Sequence, residues 1–180
     1  MLAGRIELFS RKIDAITVKL PMVWPLRKNK QLIRNNFHVI NINGDVMEPA
    51  LPLAGLNILV VDDDDDSRFY ITTVLEADGA TVMAVASAEV ALKVLPELQP
   101  EVLICDIAMP GEDGYTLIRK IRALKSDIWE KLPAIALTAY GDSEYRSRAL
   151  EAGFQTHVAK PVDPGELVAI VADLVASYKS

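Results

Sequence analysis

A chain of 180 residues, 51% hydrophobic and 24% charged, holds one ordinary domain plus a remainder and is neither a wholly disordered nor a low-complexity polymer. Its single cysteine, Cys105, excludes an internal disulfide and a multi-cysteine zinc site and points to a reducing, cytoplasmic setting. The formal charge of −6 divides into +4 over residues 1–54 and −10 over residues 55–180; an acidic body argues against direct nucleic-acid binding and leaves room for a cation.

Residues 1–54 read as a basic extension or linker. Pro21, Pro25, Pro49 and Pro52 interrupt it, and two short strands fit around 15–20 and 37–42, with a turn at Asn43-Gly44-Asp45. The apolar stretch at 20–26 is too short and too proline-broken to span a bilayer, so no membrane anchor is expected. The basic run 27–34 reads as a solvated face.

From residue 55 apolar runs of strand length alternate with segments of helical period. A continuous apolar strand at 57–61 leads to a helix at 67–77, whose inner stripe is read as Phe69 or Tyr70 with Val74 and Leu75. A strand at 81–86 precedes a helix capped by Ser87, with Val90, Ala91, Val94 and Leu95 facing inward. A third strand, 102–105, runs into Asp106. Then follow a helix at 114–124, a strand at 134–137, a helix at 143–152 and a strand at 157–159. A last helix at 164–176 turns Leu167, Ile170, Val171 and Leu174 inward. Five strands and five helices in alternation predict a doubly wound five-stranded parallel α/β sheet with helices on both faces, and such sheets place ligands at the carboxyl ends of their strands.

The residues that follow each strand form a coherent set: Asp62 and Asp63 after the first, Asp106 after the third, Thr138 after the fourth, Lys160 after the fifth. Three converging carboxylates repel unless a cation sits among them, and hard oxygen ligands suit Mg2+. The lysine adds a second positive charge and the threonine a hydroxyl donor. The set fits phosphoryl transfer to a carboxylate, where positioning and charge neutralisation supply most of the catalysis.

The strings Ile58-Leu59-Val60-Val61-Asp62-Asp63-Asp64, Asp106-Ile107-Ala108-Met109-Pro110-Gly111-Glu112-Asp113-Gly114, Ala136-Leu137-Thr138-Ala139 and Ala159-Lys160-Pro161 resemble the receiver domain of two-component response regulators, over residues 55–178. The resemblance implies a flavodoxin-like (βα)5 receiver across 55–180, with Asp106 as phosphoacceptor. It implies Mg2+ held by Asp63, Asp106 and the backbone carbonyl of Ala108, with Asp62 completing the acidic pair. Thr138 and Lys160 would contact the phosphoryl group, and a cis peptide is implied at Lys160-Pro161. The implied partners are a histidine kinase or phosphotransfer protein as donor, a downstream protein at the face made by the helix 143–152, the strand 157–159 and the last helix, and a second copy of the chain on phosphorylation. No enzymatic output domain is expected.

Other residues have plainer readings. Asp66 or Ser67 is read as the cap of the first helix, with Asp64 and Asp65 solvated. Cys105 is read as core, and a Lys160–Asp106 salt bridge is expected before phosphorylation. His157 stands where the family often has an aromatic residue that moves inward with the threonine. Ala108 and Tyr140 offer no carboxylate or amide to position an attacking water, which predicts slow self-dephosphorylation. A rival reading, an Mg2+-dependent phosphohydrolase working through an aspartyl-phosphate, wants a second aspartate where Ala108 stands. Another is a receiver acting as a scaffold without phosphorylation, which the complete constellation disfavours. In the extension, Ile16-Thr17-Val18-Lys19-Leu20-Pro21 resembles the last strand of a histidine-kinase ATP-binding domain, and Leu53-Ala54-Gly55-Leu56 a hybrid-kinase linker. The chain reads either as a stand-alone receiver or as the receiver of a hybrid kinase, without kinase activity of its own.

Overall fold

Strand-forming runs occur in two separate compact units, Met1–Ala50 and Leu51–Ser180. The computed structural model describes the backbone of Ala15–Thr17, Val39–Asn41 and Val46–Met47, and residues 51–179 other than 125 and 140–142. In the first unit β1 (Ala15–Thr17), β2 (Val39–Asn41) and β3 (Val46–Met47) pair antiparallel in that order. The basic run 27–34, the turn at 43–45, the string 18–21 and Tyr140 lie outside the described residues.

In the second unit the chain runs β4 (Asn57–Val61), α1 (Asp65–Ala77), β5 (Thr81–Val85), α2 (Ala88–Leu98), β6 (Val102–Asp106), α3 (Gly114–Arg122), α4 (Asp127–Glu130), β7 (Ala134–Thr138), α5 (Ser143–Ala152), β8 (Thr156–Ala159) and α6 (Pro164–Lys179). The strands form one parallel sheet in the order β5-β4-β6-β7-β8. The doubly wound architecture read from the alternation is the one observed.

Every side chain of β6 and β7 is buried, because helices cover both faces of a parallel sheet. Alternation splits the core in two. Leu59, Val61, Leu103, Cys105, Ala134 and Ala136 belong to one cluster with Ala91 and Leu95 of α2 and Leu117, Ile118 and Ile121 of α3. Ile58, Val60, Val102, Ile104, Ile135 and Leu137 join the other with Ile71 and Leu75 of α1 and Leu167 and Val171 of α6. Each fully buried aliphatic side chain contributes about 1.5–3 kcal/mol relative to exposure.

Leu53 is fully buried in the second cluster and its N–H donates to the Asp78 carbonyl at 3.0 Å. The stretch 51–56, much of which reads in sequence as extension or linker, therefore supplies core to the sheet.

Four local expectations are corrected. The inner stripe of α1 is Ile71 and Leu75, spaced i,i+4, while Phe69 is 74% exposed and Tyr70 sits at the surface. Its cap is Asp64, in extended backbone, whose carboxylate accepts the Ser67 N–H at 2.7 Å; Asp65 and Asp66 then occupy the first turn, where the helix dipole favours them. In α2, capped by Ser87 as read, Val90 is exposed and Ala88 joins Ala91 and Leu95 inside. The single turn α4 has no counterpart in the sequence reading, since four residues carry no periodicity.

Candidate functional site

The chain leaves β4 for β5 on one side and later returns to β6 on the other, so the strand order reverses between β4 and β6. A crevice outside the carboxyl ends of two such strands is where doubly wound sheets bind ligands. The register pairs Val61 with Cys105, which sets Asp62 and Asp106 side by side at that edge. β7 adds Thr138, opposite Ala159 of β8, and the next residue is Lys160.

Asp62 is fully buried. One of its carboxylate oxygens accepts the Asp64 N–H at 3.0 Å; the other accepts the Ser67 hydroxyl at 2.7 Å and the Lys160 ammonium at 2.9 Å. Asp106 is 7% exposed. Its Oδ1 accepts the Ala108 N–H at 3.1 Å and its Oδ2 the Lys160 ammonium at 2.7 Å. Lys160 thus bridges the two buried carboxylates, extending the single pair expected from sequence. Its backbone N–H donates to the Thr138 carbonyl at 2.7 Å, Thr138 is buried, and the Lys160–Pro161 peptide is cis. His157 is half-buried on β8, in register with Ala136.

Asp63 is exposed, and one carboxylate oxygen from each of Asp62, Asp63 and Asp106 lies within 4.8 Å of the others. Three carboxylates against one ammonium leave a formal excess of two negative charges. The donor set is all hard oxygen, so the residues present fit a divalent cation of the Mg2+ type.

The charges act on their neighbours. Burial works to lower the Lys160 pKa, and the hydrogen bonds it donates to Asp106 and Asp62 outweigh that, holding the ammonium above the ordinary lysine value. Burial, reinforced by the negative charges of Asp106 and Asp62, pushes the Cys105 thiol well above its usual range. Its Sγ–H donates to the Asp106 carbonyl at 3.0 Å. Since the thiolate is the reactive form, Cys105 is expected to react with a disulfide reagent at neutral pH at least ~100-fold more slowly than a free thiol, until denaturant is added. Fast labelling of the native protein would contradict this.

Two residues that contact the site escaped the sequence reading in that role. Ser67, read as a cap, donates its hydroxyl to Asp62, and Arg68 Nη1 donates to the Asp62 carbonyl at 2.6 Å while pairing with Asp65. They lie on the first turns of α1, five and six residues beyond Asp62, on the side that faces back to the strand end.

A family model described as the response regulator receiver domain matches residues 58–172. An uncharacterized 14.6 kDa protein of Leptolyngbya boryana is 47% identical over 126 residues, 70% of this chain and 95% of its own length. Hybrid signal transduction histidine kinase D of Dictyostelium discoideum is 33% identical over 134 residues, 71% of this chain but 9% of that protein. The receiver domain of Francisella response regulator 1452 superposes with a TM-score of 0.63 at 27% identity, covering 69% of this chain and 99% of that one. Among the described residues no helix is long and apolar enough to cross a membrane.

Proposed function

The chain belongs to the response regulator receiver family of two-component signalling, and from that premise we propose that the unit 51–180 forms a phosphorylation switch with Asp106 as acceptor. The observation that carries the reading is the Lys160 ammonium bridging Asp62 and Asp106 at the strand-order reversal.

In the step we envisage, a carboxylate oxygen of Asp106 attacks the phosphorus of a phosphohistidine. A new O–P bond forms as the P–N bond breaks, and the imidazole takes the electron pair. Asp106 is aimed by the Ala108 N–H and by Lys160, so the nucleophile needs little reorganisation. Lys160 then follows the charge onto a phosphoryl oxygen, and the Thr138 hydroxyl donates to another. Asp63, Asp106 and the Ala108 carbonyl would hold Mg2+, which supplies neutralisation of the phosphoryl oxygens. Asp62 stays as the anchor of Lys160. Donors in this reading are a histidine kinase or phosphotransfer protein. The output is altered binding at the face of α5, β8 and α6, either to a downstream protein or to a second copy, with Thr138 at the end of β7 and His157 on β8 as the switch residues. Ala108 offers no general acid for a phosphohydrolase.

The test uses acetyl phosphate with Mg2+ and intact-mass measurement. The parent gains one phosphoryl group and Asp106→Asn gains none. A parent that gains nothing, or a variant that gains as much, would refute the assignment.

A further inference from the structure

Asp62 is fully buried and shares its Oδ2 between two donors, the Ser67 hydroxyl at 2.7 Å and the Lys160 ammonium at 2.9 Å. The same ammonium reaches Asp106 at 2.7 Å. A lysine head on a four-carbon stem can be pulled to either carboxylate, so where it rests depends on how the two acids are held. Asp106 is held by the Ala108 N–H. Besides Lys160, Asp62 is held through four bonds: its Oδ1 by the Asp64 N–H, its backbone carbonyl by Arg68, its own N–H on the Val85 carbonyl, and its Oδ2 by Ser67. Of these, Ser67 is the side-chain group that touches the oxygen Lys160 uses. Ser67 also donates its backbone N–H to the Asp64 cap at 2.7 Å, so its position is fixed by the start of α1 rather than by the site.

We propose that Ser67 is a positioning residue for the phosphoacceptor reaction: its hydroxyl pins Asp62 toward α1 and thereby parks Lys160 midway to Asp106. This rests on the Mg2+-assisted acceptor reading above and adds to it the element that sets the lysine. Without the hydroxyl, Asp62 Oδ2 has lost one of its two donors and draws the ammonium toward itself. Asp106 loses part of its partner, and the three-carboxylate cradle loses one of the bonds that preorganise it for a cation.

The experiment compares Ser67→Val with Ser67→Thr, which have the same shape and differ in the hydroxyl. Mg2+ affinity of the unphosphorylated chain is measured by calorimetric titration with MgCl2, and the rate of phosphoryl gain from acetyl phosphate at saturating Mg2+ by intact mass. Thermal melts confirm that both variants are folded. In the Val variant the Mg2+ dissociation constant is expected to rise, and the rate to fall, by about tenfold each, the factor that one net hydrogen bond corresponds to. The Thr variant is expected to stay near the parent in both. A Val variant equal to the parent in both readouts, Mg2+ binding that tightens, or a Thr variant as impaired as Val overturns the role. A parent that neither binds Mg2+ nor gains a phosphoryl group overturns the acceptor reading, and this inference with it.

Discussion

Gly114→Ala is expected to cost the receiver about 3 kcal/mol of stability, the upper end for overpacking a close-packed site. Gly114 opens α3 directly after its cap Asp113, and its N–H donates to the Ile107 carbonyl at 3.0 Å. A methyl there would sit 2.4 Å from the Asp106 carbonyl oxygen, 3.0 Å from the Ile107 Cα and 3.1 Å from the Cys105 sulfur. The first two contacts are backbone at the end of a fully buried strand and cannot rotate away. The glycine is required for space, since its backbone does not occupy the left-handed region. Relief means moving the start of α3 off the strand, which shifts Asp106 itself, so phosphoryl gain from acetyl phosphate should slow together with the loss of stability. Urea unfolding should show a lower midpoint at unchanged slope. A variant within about 0.5 kcal/mol of the parent, the spread of ordinary surface substitutions, would show that the helix start yields freely.

The second large effect falls far from the acidic residues. Arg122, at the end of α3, donates Nη1 to the Trp129 carbonyl at 2.6 Å, Nε to the Gly153 carbonyl at 3.1 Å, and Nη2 to the carbonyls of Leu132 and Gly153 and to Gln155 Oε1 at 2.7, 2.9 and 3.2 Å. Gln155 Oε1 also accepts the Ala134 N–H at 2.7 Å, so one guanidinium ties the α4–β7 connection to the α5–β8 turn. Burial lowers its pKa, yet an arginine remains protonated throughout the working range. Arg122→Ala takes this donor from the part-buried carbonyls of Trp129 and Leu132 and leaves Gly153 with the Gln155 amide alone, and we expect a loss of about 3 kcal/mol, the range for breaking such a network. Arg122→Lys should recover less than half, because an ammonium cannot reproduce the fork. Hydrogen exchange should rise at 153–155 and 134 before it rises in β4. Full stability in the alanine variant would sink the proposed clasp.

These two residues mark where sequence stopped being informative. The central strands of the sheet were legible because burial on both faces writes an uninterrupted apolar run, as at 102–105 and 134–137. Asp62, Asp63, Asp106 and Thr138 were legible because they follow or close such runs, and Lys160 because it follows the short strand β8. The phase of α1 was not: Phe69, Tyr70 and Ile71 are consecutive and apolar, and packing against α6 selects Ile71. The cap was ambiguous among five consecutive aspartates, any of which can accept an N–H, and only the path of the chain out of β4 selects Asp64. Arg122 lies among Arg119 and Lys120, and reads as one more surface charge. Its partners are carbonyls and an amide 7 to 33 residues away, a relation that no spacing rule encodes.

Leu53 bears on how the chain responds to force. A pull applied from the N-terminal side reaches the Leu53 side chain and its bond to Asp78 before it loads the hydrogen-bond ladder of β4. The strand that carries Asp62 and Asp63 is thereby shielded behind a hydrophobic anchor. Tension in the preceding chain must first draw a fully buried leucine out of its socket before it can disturb the phosphorylation edge.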